Sequence, residues 1–178
     1  MAAIHPPLPC KLIVGLLAGR AEVLAAAAEA LATLYGRIEL ASPQWQFSFT
    51  DYYQAQMGHN LLRQFLAMEK LITPSDIVAI KRRANQLEEE LAARFPSGPS
   101  RPANIDPGYL TEGKLVLAST KDFAHRIYMD QGIYAEITLS FVHGRWVRHP
   151  YTFPDYGSGL YDGFLMEARD NLRRQLGR

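Results

Sequence analysis

The sequence predicts an α+β protein, and three observations support this prediction. The first hundred residues read as strand, helix, strand, strand, helix and strand. Trp45, Phe47 and Phe49 alternate with polar residues, a period of two that favours an antiparallel or mixed sheet over a doubly wound parallel one. The chain has 178 residues, enough for one domain with one sizeable core. We therefore expect a single domain with a ferredoxin-like β-α-β-β-α-β core and a C-terminal extension made of a β-hairpin and a helix.

The composition is that of an ordinary globular protein and argues against several classes of function. Hydrophobic residues make up 48% of the chain and charged residues 21%. Lys and Arg number 19 against 18 Asp and Glu, so the net charge argues against wrapping nucleic acid or binding a membrane surface. The single cysteine, Cys10, excludes an intrachain disulfide and fits a reducing compartment. Because the sequence has no apolar run that could span a bilayer and no secretory signal pattern, we expect a cytoplasmic protein.

The N-terminal elements follow from apolar patterns punctuated by glycine and proline. Residues 1–9 are rich in proline and predict an extended arm. Lys11–Leu17 is a continuous apolar run too short for a buried helix, which predicts a central strand. Ala21–Tyr35 places apolar side chains on one helical face and is followed by Gly36, so it predicts a helix.

Weaker patterns predict the elements between this helix and the next one. Arg37–Leu40 predicts a second strand, and the alternation over Trp45–Thr50 predicts a half-buried third strand. Residues 54–60 predict a loop or a short turn. Leu61–Leu71 is apolar and mixed, and we interpret it as a strand.

The clearest helix signal covers Pro74–Phe95. Thr73 suits the N-cap, Pro74 suits the first helical position, and Asp76 complements the helix dipole. The apolar residues that share one face of this helix are Ile77, Ile80, Ala84, Leu87 and Leu91. The polar residues along one border of that face are Lys81, Asn85 and Glu88.

The next stretch predicts a turn followed by an ambiguous segment. Asp106-Pro107-Gly108 has turn composition, so we expect the core to cover residues 10–107 and the extension to cover residues 108–178. Two interpretations of the following residues stay open: Leu115–Ala118 forms a strand, or Thr111 caps a short helix.

The C-terminal part predicts a hairpin and a final helix. Lys121–Tyr128 predicts a turn of helix and then a strand. Ile133–Val142 and Arg145–His149 flank His143-Gly144, a strong hairpin signal. Gly157–Leu176 has apolar residues in line at helical spacing and predicts an amphipathic helix.

Six sequence blocks carry a family resemblance. They are KLIVGLL at 11–17, FTDYYQAQMG at 49–58, IKRRANQLE at 80–88, NIDPGYL at 104–110, LVLASTKDFAHRIYMDQGIYAEITL at 115–139 and FPDY at 153–156. Through these blocks the chain resembles, over nearly its whole length, an uncharacterised prokaryotic family, domain of unknown function 4416. The resemblance implies a set of motif positions and no established activity. The phosphate-binding patterns G-x-x-x-x-G-K-[ST] and G-x-G-x-x-G do not occur in the sequence, so no cofactor is assigned.

The polar and aromatic residues of these blocks predict a site for a small anionic ligand, phosphorylated or nucleotide-like. Lys81, Lys121 and Arg126 are cations able to bind a phosphate or a carboxylate. The other residues expected to bind the ligand are Asn85, Asn104, Tyr128 and Tyr134, with the tyrosines stacking on a base or a sugar.

The expected catalytic residue is His125, because the pKa of a free histidine lies near neutrality. Asp106 or Glu136 would orient its ring. Whether the protein is an enzyme stays open, because charged residues on neighbouring strands often only pair with each other, and Asp106 has a ready explanation as a turn residue.

Three further possibilities stay open at the level of sequence. Mg²⁺ could bind if the fold brought together the carboxylates Asp51, Asp106, Glu136 and Asp155, but no metal site is assigned. A non-enzymatic interaction module could pair as a homodimer through a sheet edge. An RNA-binding domain is the third possibility, although the near-neutral net charge argues against nucleic acid.

Overall fold

The computed structural model describes residues 3–178. Positions 1 and 2 of the predicted N-terminal arm lie outside the described residues, while residues 3–9 are exposed and form neither helix nor strand.

The first half of the chain contains the predicted strands and helices. The elements are β1 (Cys10–Ala18), α1 (Ala21–Tyr35), β2 (Ile38–Ala41), β3 (Trp45–Gln46), α2 (Gln54–Met57), β4 (Leu62–Ile72) and α3 (Ile77–Arg94). A 3-10 turn, Pro74–Asp76, precedes α3, and Thr73 and Asp76 form the capping box at its start. The predicted strands Lys11–Leu17 and Leu61–Leu71 and both predicted long helices are confirmed.

The second half adds five strands and one long helix. They are β5 (Ala103–Leu110), β6 (Lys114–Ser119), β7 (Ile127–Asp130), β8 (Ile133–Val142), β9 (Arg145–Arg148) and α4 (Asp162–Gln175). The predicted hairpin at His143-Gly144 is confirmed, with both residues at positive φ. Of the two interpretations of residues 111–118, the strand is confirmed.

In residues 3–178 the nine strands form one sheet in the order β2-β4-β1-β5-β6-β8-β7, with β3 beside β4 and β9 beside β8. Every pairing between the strands is antiparallel. The mixture of helices with an antiparallel sheet confirms the predicted α+β class.

Helices cover both faces of the sheet, and β1 explains why. Successive side chains of a strand point to opposite faces. Leu12, Val14 and Leu16 belong to the core under α1 and α3, whereas Ile13 belongs to the core under α4. Because both faces are covered, β1 needs apolar residues at nearly every position, which is the continuous run seen in the sequence.

The strand predicted over Trp45–Thr50 has the expected alternation of buried and exposed side chains, but the strand that pairs with β4 is shorter than predicted. Phe47 is buried and Phe49 is half-buried, while the polar residues between them are exposed. Only Trp45 and Gln46 pair with β4, because β4 begins at Leu62 and offers no partner strand beyond that point. Residues 54–60, predicted as a loop or short turn, contain the one-turn helix α2.

The prediction of a turn at Asp106-Pro107-Gly108 is wrong. These residues lie inside β5, with Asp106 opposite Gly15 and Pro107 opposite Val14 of β1. The boundary expected between positions 107 and 108 therefore falls within a strand. The turn comes later, where the N–H of Thr111 donates to the carbonyl of Lys114 at 2.9 Å.

The residues predicted as a turn instead mark the place where the pairing between β5 and β6 stops. β5 pairs with β6 only over Gly108–Leu110, while residues 103–107 pair with β1 alone. A Cβ on Gly108 would overlap the carbonyl oxygen of Val116 and lie 2.7 Å from Leu117 Cδ2, so glycine permits the two strands to approach closely here. Pro107 has no N–H to continue the ladder. Beyond this point β5 and β6 diverge.

Candidate functional site

A cleft with a volume of about 480 Å³ opens beside the divergence of β5 and β6. Its walls come from these two strands, from α3, and from the loops around Tyr53, Lys121 and Pro154. The aromatic side chains that line it include Phe47, Phe49, Tyr53, Phe123, Phe153 and Tyr156.

The cleft also gathers charges of both signs. The lining cations are Arg63, Lys81, Arg101, Lys121 and Arg126. The lining carboxylates are Asp106, Glu136 and Asp155. Cations thus outnumber carboxylates in the lining.

Side chains of α3 provide hydrogen-bond partners for the part of β5 that does not pair with β6. Lys81 Nζ donates to the carbonyl of Ile105 at 2.8 Å, and the N–H of Ile105 donates to Glu88 Oε1 at 2.7 Å. Arg101 Nη2 donates to the other oxygen of Glu88 at 2.9 Å. The polar stripe predicted on α3 therefore satisfies backbone groups that a paired strand would otherwise satisfy.

Asp106 lies at the centre of a network of positive groups. Its Oδ1 is 3.5 Å from Lys81 Nζ, and its Oδ2 is 3.8 Å from Arg63 Nη1. Asn104 also donates to Oδ2 through its amide nitrogen. Burial alone would raise the pKa of Asp106, but the charges of Lys81 and Arg63 and the bond from Asn104 lower it below the usual value.

A buried ion pair lies deeper in the cleft. Arg63 Nη2 donates to Asp155 Oδ2 at 3.1 Å, and the two side chains are 3% and 5% exposed. The hydroxyl of Tyr161 also donates to Asp155 Oδ2, at 3.3 Å. Burial raises the pKa of Asp155 although Arg63 opposes the shift. The guanidinium of Arg63 lies over the ring of Phe47, 5.1 Å from its centre.

The rim of the cleft holds a second buried pair and an unpaired lysine. Arg126 Nε donates to Glu136 Oε2 at 2.8 Å, and Arg126 Nη1 donates to Ser119 Oγ at 2.7 Å. Lys121 Nζ donates to the hydroxyl of Tyr52 at 2.8 Å. Among residues 3–178, Lys121 is the lining cation that forms no ion pair with a carboxylate.

His125 contacts Glu136 but is not part of the cleft lining. Its Nε2 is 3.1 Å from Glu136 Oε2, and its ring stacks on Tyr151 with 4.3 Å between centres. Of the two carboxylates expected to orient it, Glu136 is the one in contact.

The fold brings most of the predicted site residues together. Those that line the cleft are Lys81, Asn85, Asn104, Asp106, Lys121, Arg126 and Glu136. Those outside the lining are His125, Tyr128 and Tyr134. The two tyrosines instead contact each other across β7 and β8, with 5.4 Å between ring centres.

Sequence reasoning did not assign Arg63, Arg101, Tyr53 or Tyr156 to the site. Tyr156 had a usable signal, because it ends the FPDY block. Arg63 also had one, since it is a charged residue in the mainly apolar run 61–68, and such a charge is costly unless it is paired or used. We find no signal in the sequence for Arg101.

The carboxylates considered for Mg²⁺ are not clustered together as metal ligands within residues 3–178. No group of three or more His, Cys, Asp or Glu side chains within residues 3–178 is arranged to hold a metal ion. Asp51 lies outside the cleft lining. Among the described residues, no helix is both long enough and apolar enough to cross a membrane.

Replacing Asp106 with asparagine is expected to change how stability depends on pH. Because the pKa of Asp106 is lowered in the folded protein, the unfolded chain binds its proton more tightly. The resulting stabilisation is fully present above the unfolded pKa of about 3.9 and is lost as the pH falls through the folded pKa. Urea unfolding of both proteins between neutral and acid pH should show a stability difference that shrinks toward low pH. A difference that grows as the pH falls would contradict this assignment of the network.

Comparison with known proteins identifies the family. No curated protein and no solved structure matches the chain at a significant level. One family model matches residues 8–172, nearly the whole chain, which confirms the resemblance seen in the sequence blocks. The chain therefore belongs to the family described as "Domain of unknown function (DUF4416)".

Proposed function

We propose that the cleft binds a small anionic ligand that carries a flat ring, a phosphorylated or nucleotide-like compound. The observation that supports this function best is the placement of the unpaired Lys121 at the rim of an aromatic-walled cleft. A volume of about 480 Å³ lies within the usual range for ligand sites. Ligand sites are also mostly apolar with a few convergent polar groups, as this cleft is.

The anionic end of the ligand is expected at the rim. Within residues 3–178 the side chain of Lys121 bonds to the hydroxyl of Tyr52 and to no carboxylate, so its charge is available to a phosphate or carboxylate. Arg126 lies beside it, because its Nη1 donates to the carbonyl of Lys121 at 3.0 Å. The deeper cations are already paired with carboxylates, which makes them weaker partners for an anion.

The aromatic walls are expected to hold the ring. Phe47 and Phe49 lie 5.7 Å apart between ring centres, and Tyr53 lies 6.0 Å from Phe47. Stacking on such side chains is tolerant of ring identity. The proposal is one of binding, and the expected acid–base residue His125 lies outside the lining.

We also propose that β1 to β5 form the predicted ferredoxin-like core. The order β2-β4-β1-β5, with α1 after β1 and α3 after β4, supports this assignment. The core would then end at Leu110, at the end of β5, rather than at position 107.

Thermal-shift measurements test the binding proposal. Nucleoside monophosphates and sugar phosphates should raise the melting temperature of the wild type, and Lys121→Ala should lose most of that shift. A ligand at a hundred times its Kd adds about 2.7 kcal/mol of stability, which corresponds to a shift of about 5–10 °C for a domain of this size. The matched control is Lys70→Ala, which removes an exposed lysine of β4 outside the cleft.

Two results would count against the proposal. The first is the failure of every phosphorylated compound to shift the melting temperature of the wild type. The second is a shift that Lys70→Ala reduces as much as Lys121→Ala does, because that would reflect general charge rather than a site.

A further inference from the structure

His125 and Arg126 share one oxygen atom of Glu136. His125 Nε2 lies 3.1 Å from Glu136 Oε2, and Arg126 Nε donates to the same oxygen at 2.8 Å. The other oxygen of Glu136 accepts a hydrogen bond from the hydroxyl of Thr138 at 3.0 Å. The histidine, which does not line the cleft, is therefore connected through one carboxylate to an arginine that does.

Arg126 has one guanidinium nitrogen left for a ligand. Its Nε bonds to Glu136, and its Nη1 bonds to Ser119 Oγ and to the carbonyl of Lys121. Among residues 3–178, Nη2 has no hydrogen-bond partner, yet it is not one of the fully buried unpaired atoms. The rest of the side chain is almost completely buried, with 3% of it exposed. Because Arg126 lines the cleft, Nη2 is available to an anion there.

Packing holds the ring of His125 beside Glu136. The ring stacks on Tyr151 with 4.3 Å between centres and 9° between planes, and 23% of the side chain is exposed. A second histidine, His149, stacks on the same tyrosine with 5.3 Å between centres, and its Nε2 lies 3.0 Å from Ser140 Oγ. Of these two histidines, only His125 contacts the carboxylate that Arg126 uses.

The charge of this group of side chains depends on pH. A carboxylate can only accept, so neutral His125 donates to Glu136 through its Nε2–H. Neutral His125 leaves Arg126 and Glu136 with no net charge, whereas protonated His125 adds one positive charge. Histidine side chains change charge between about pH 5 and pH 8. The titratable groups packed against His125 are Glu136 of β8 and Tyr151 of the segment after β9, with His149 behind Tyr151.

We propose that His125 is a positioning residue of the cleft, which sets through Glu136 how strongly Arg126 attracts the anionic end of the ligand. This role rests on the proposed function. Once His125 is protonated, two cations share one carboxylate oxygen, so Glu136 offsets less of the charge of Arg126. The anion is then bound more tightly, and proton binding at His125 and anion binding in the cleft strengthen each other.

The side-chain N–H of Arg126 reports on this coupling without any ligand. In the spectrum of isotope-labelled protein, the Nε–H signal of Arg126 is identified by its loss in Arg126→Lys. Because Nε donates to the oxygen that His125 shares, this signal should move in the wild type as the pH falls from about 7.5 to about 5.5. In His125→Gln, whose side-chain amide does not titrate, the signal should stay in place.

Calorimetric titration with inosine monophosphate measures the effect on binding. The phosphate of the probe also titrates, near about pH 6, but this affects every variant alike. The ratio of the Kd of His125→Gln to the Kd of the wild type should be about fivefold larger at about pH 5.5 than at about pH 7.5, a usual size for coupling between two sites. A role of His125 in the fold alone would change the Kd by the same factor at each pH.

His149→Gln is the matched control. It removes the other histidine of the stack, which titrates in the same range but does not contact Glu136. Its pH profile for inosine monophosphate should follow that of the wild type. A profile that His149→Gln flattens as much as His125→Gln does would reflect general positive charge and would contradict the specific role of His125.

The outcomes separate this role from the function on which it rests. If inosine monophosphate binds the wild type at no pH, the proposed function is contradicted, and the role of His125 in binding falls with it. If it binds, but the wild type and His125→Gln have parallel pH profiles, only the positioning role is contradicted. An Nε–H signal of Arg126 that does not respond to pH contradicts the positioning role in the same way.

Discussion

Replacing Arg63 with methionine is expected to lower the free energy of unfolding by about 3–5 kcal/mol, the usual cost of removing one partner from a buried ion pair. The substitution leaves Asp155, whose side chain is 5% exposed, without its cation. It also removes one of the positive charges that hold the pKa of Asp106 low. Urea unfolding followed by circular dichroism measures the loss directly.

Arg37→Met is the matched control for this prediction. Arg37 also pairs with a carboxylate, Glu69, but the two side chains are 68% and 46% exposed. Exposed pairs contribute about 0–1 kcal/mol, so this variant should unfold almost like the wild type. If Arg63→Met and Arg37→Met lost similar stability, the Arg63–Asp155 pair would not be the buried anchor of the cleft that the structure describes.

Replacing Gly108 with alanine is expected to lower the stability of the protein strongly. The new Cβ would overlap the carbonyl oxygen of Val116, a backbone atom that moves only if the strand moves. Overpacking of this kind costs about 1–3 kcal/mol, and more where the backbone must shift. Because the same close approach sets the point where β5 and β6 diverge, ligand binding should weaken as well. Chemical denaturation measures the loss of stability, and calorimetric titration with a nucleoside monophosphate measures the loss of binding.

Gly113→Ala is the matched control in the same hairpin. No atom lies within 4 Å of the position that its Cβ would occupy, and its φ is not in the left-handed region. Its stability should therefore stay within about 0.5 kcal/mol of the wild type. Equal losses at positions 108 and 113 would show that hairpin flexibility, rather than the contact with Val116, accounts for the effect.

Local patterns predicted most of the secondary structure, because they arise from local physics. The continuous apolar run of β1 reflects burial on both faces, and the periodic apolar face of α3 reflects burial on one. Thr73, predicted as the N-cap, forms a capping box with Asp76 at the start of the helix. Each of these signals depends on residues only a few positions apart.

The turn predicted at Asp106-Pro107-Gly108 shows where local reasoning ends. Asp, Pro and Gly favour turns on intrinsic grounds, but pairing with β1 and packing against Val116 hold them in a strand. The proline and glycine still interrupt regular structure. They end the pairing between β5 and β6, while β5 itself continues as a strand.

The candidate site was predictable in its composition but not in its geometry. Lys81, Asn104 and Lys121 attracted attention as polar residues within the family blocks, and all three line the cleft. The pairing of Arg63 with Asp155 joins residues 92 positions apart, and no periodicity records such a contact. For the same reason, sequence could not show that His125 is absent from the cleft lining.

The most direct test of the central claim is an amide spectrum of isotope-labelled protein titrated with inosine monophosphate. If the cleft is a binding site, the amide signals of residues 104–106 and 119–121 should shift with ligand concentration and saturate together. The exposed edge strand β7, which carries Ile127 and Tyr128, should stay unchanged. Shifts confined to β7, or no saturable shift anywhere, would contradict a ligand site in the cleft.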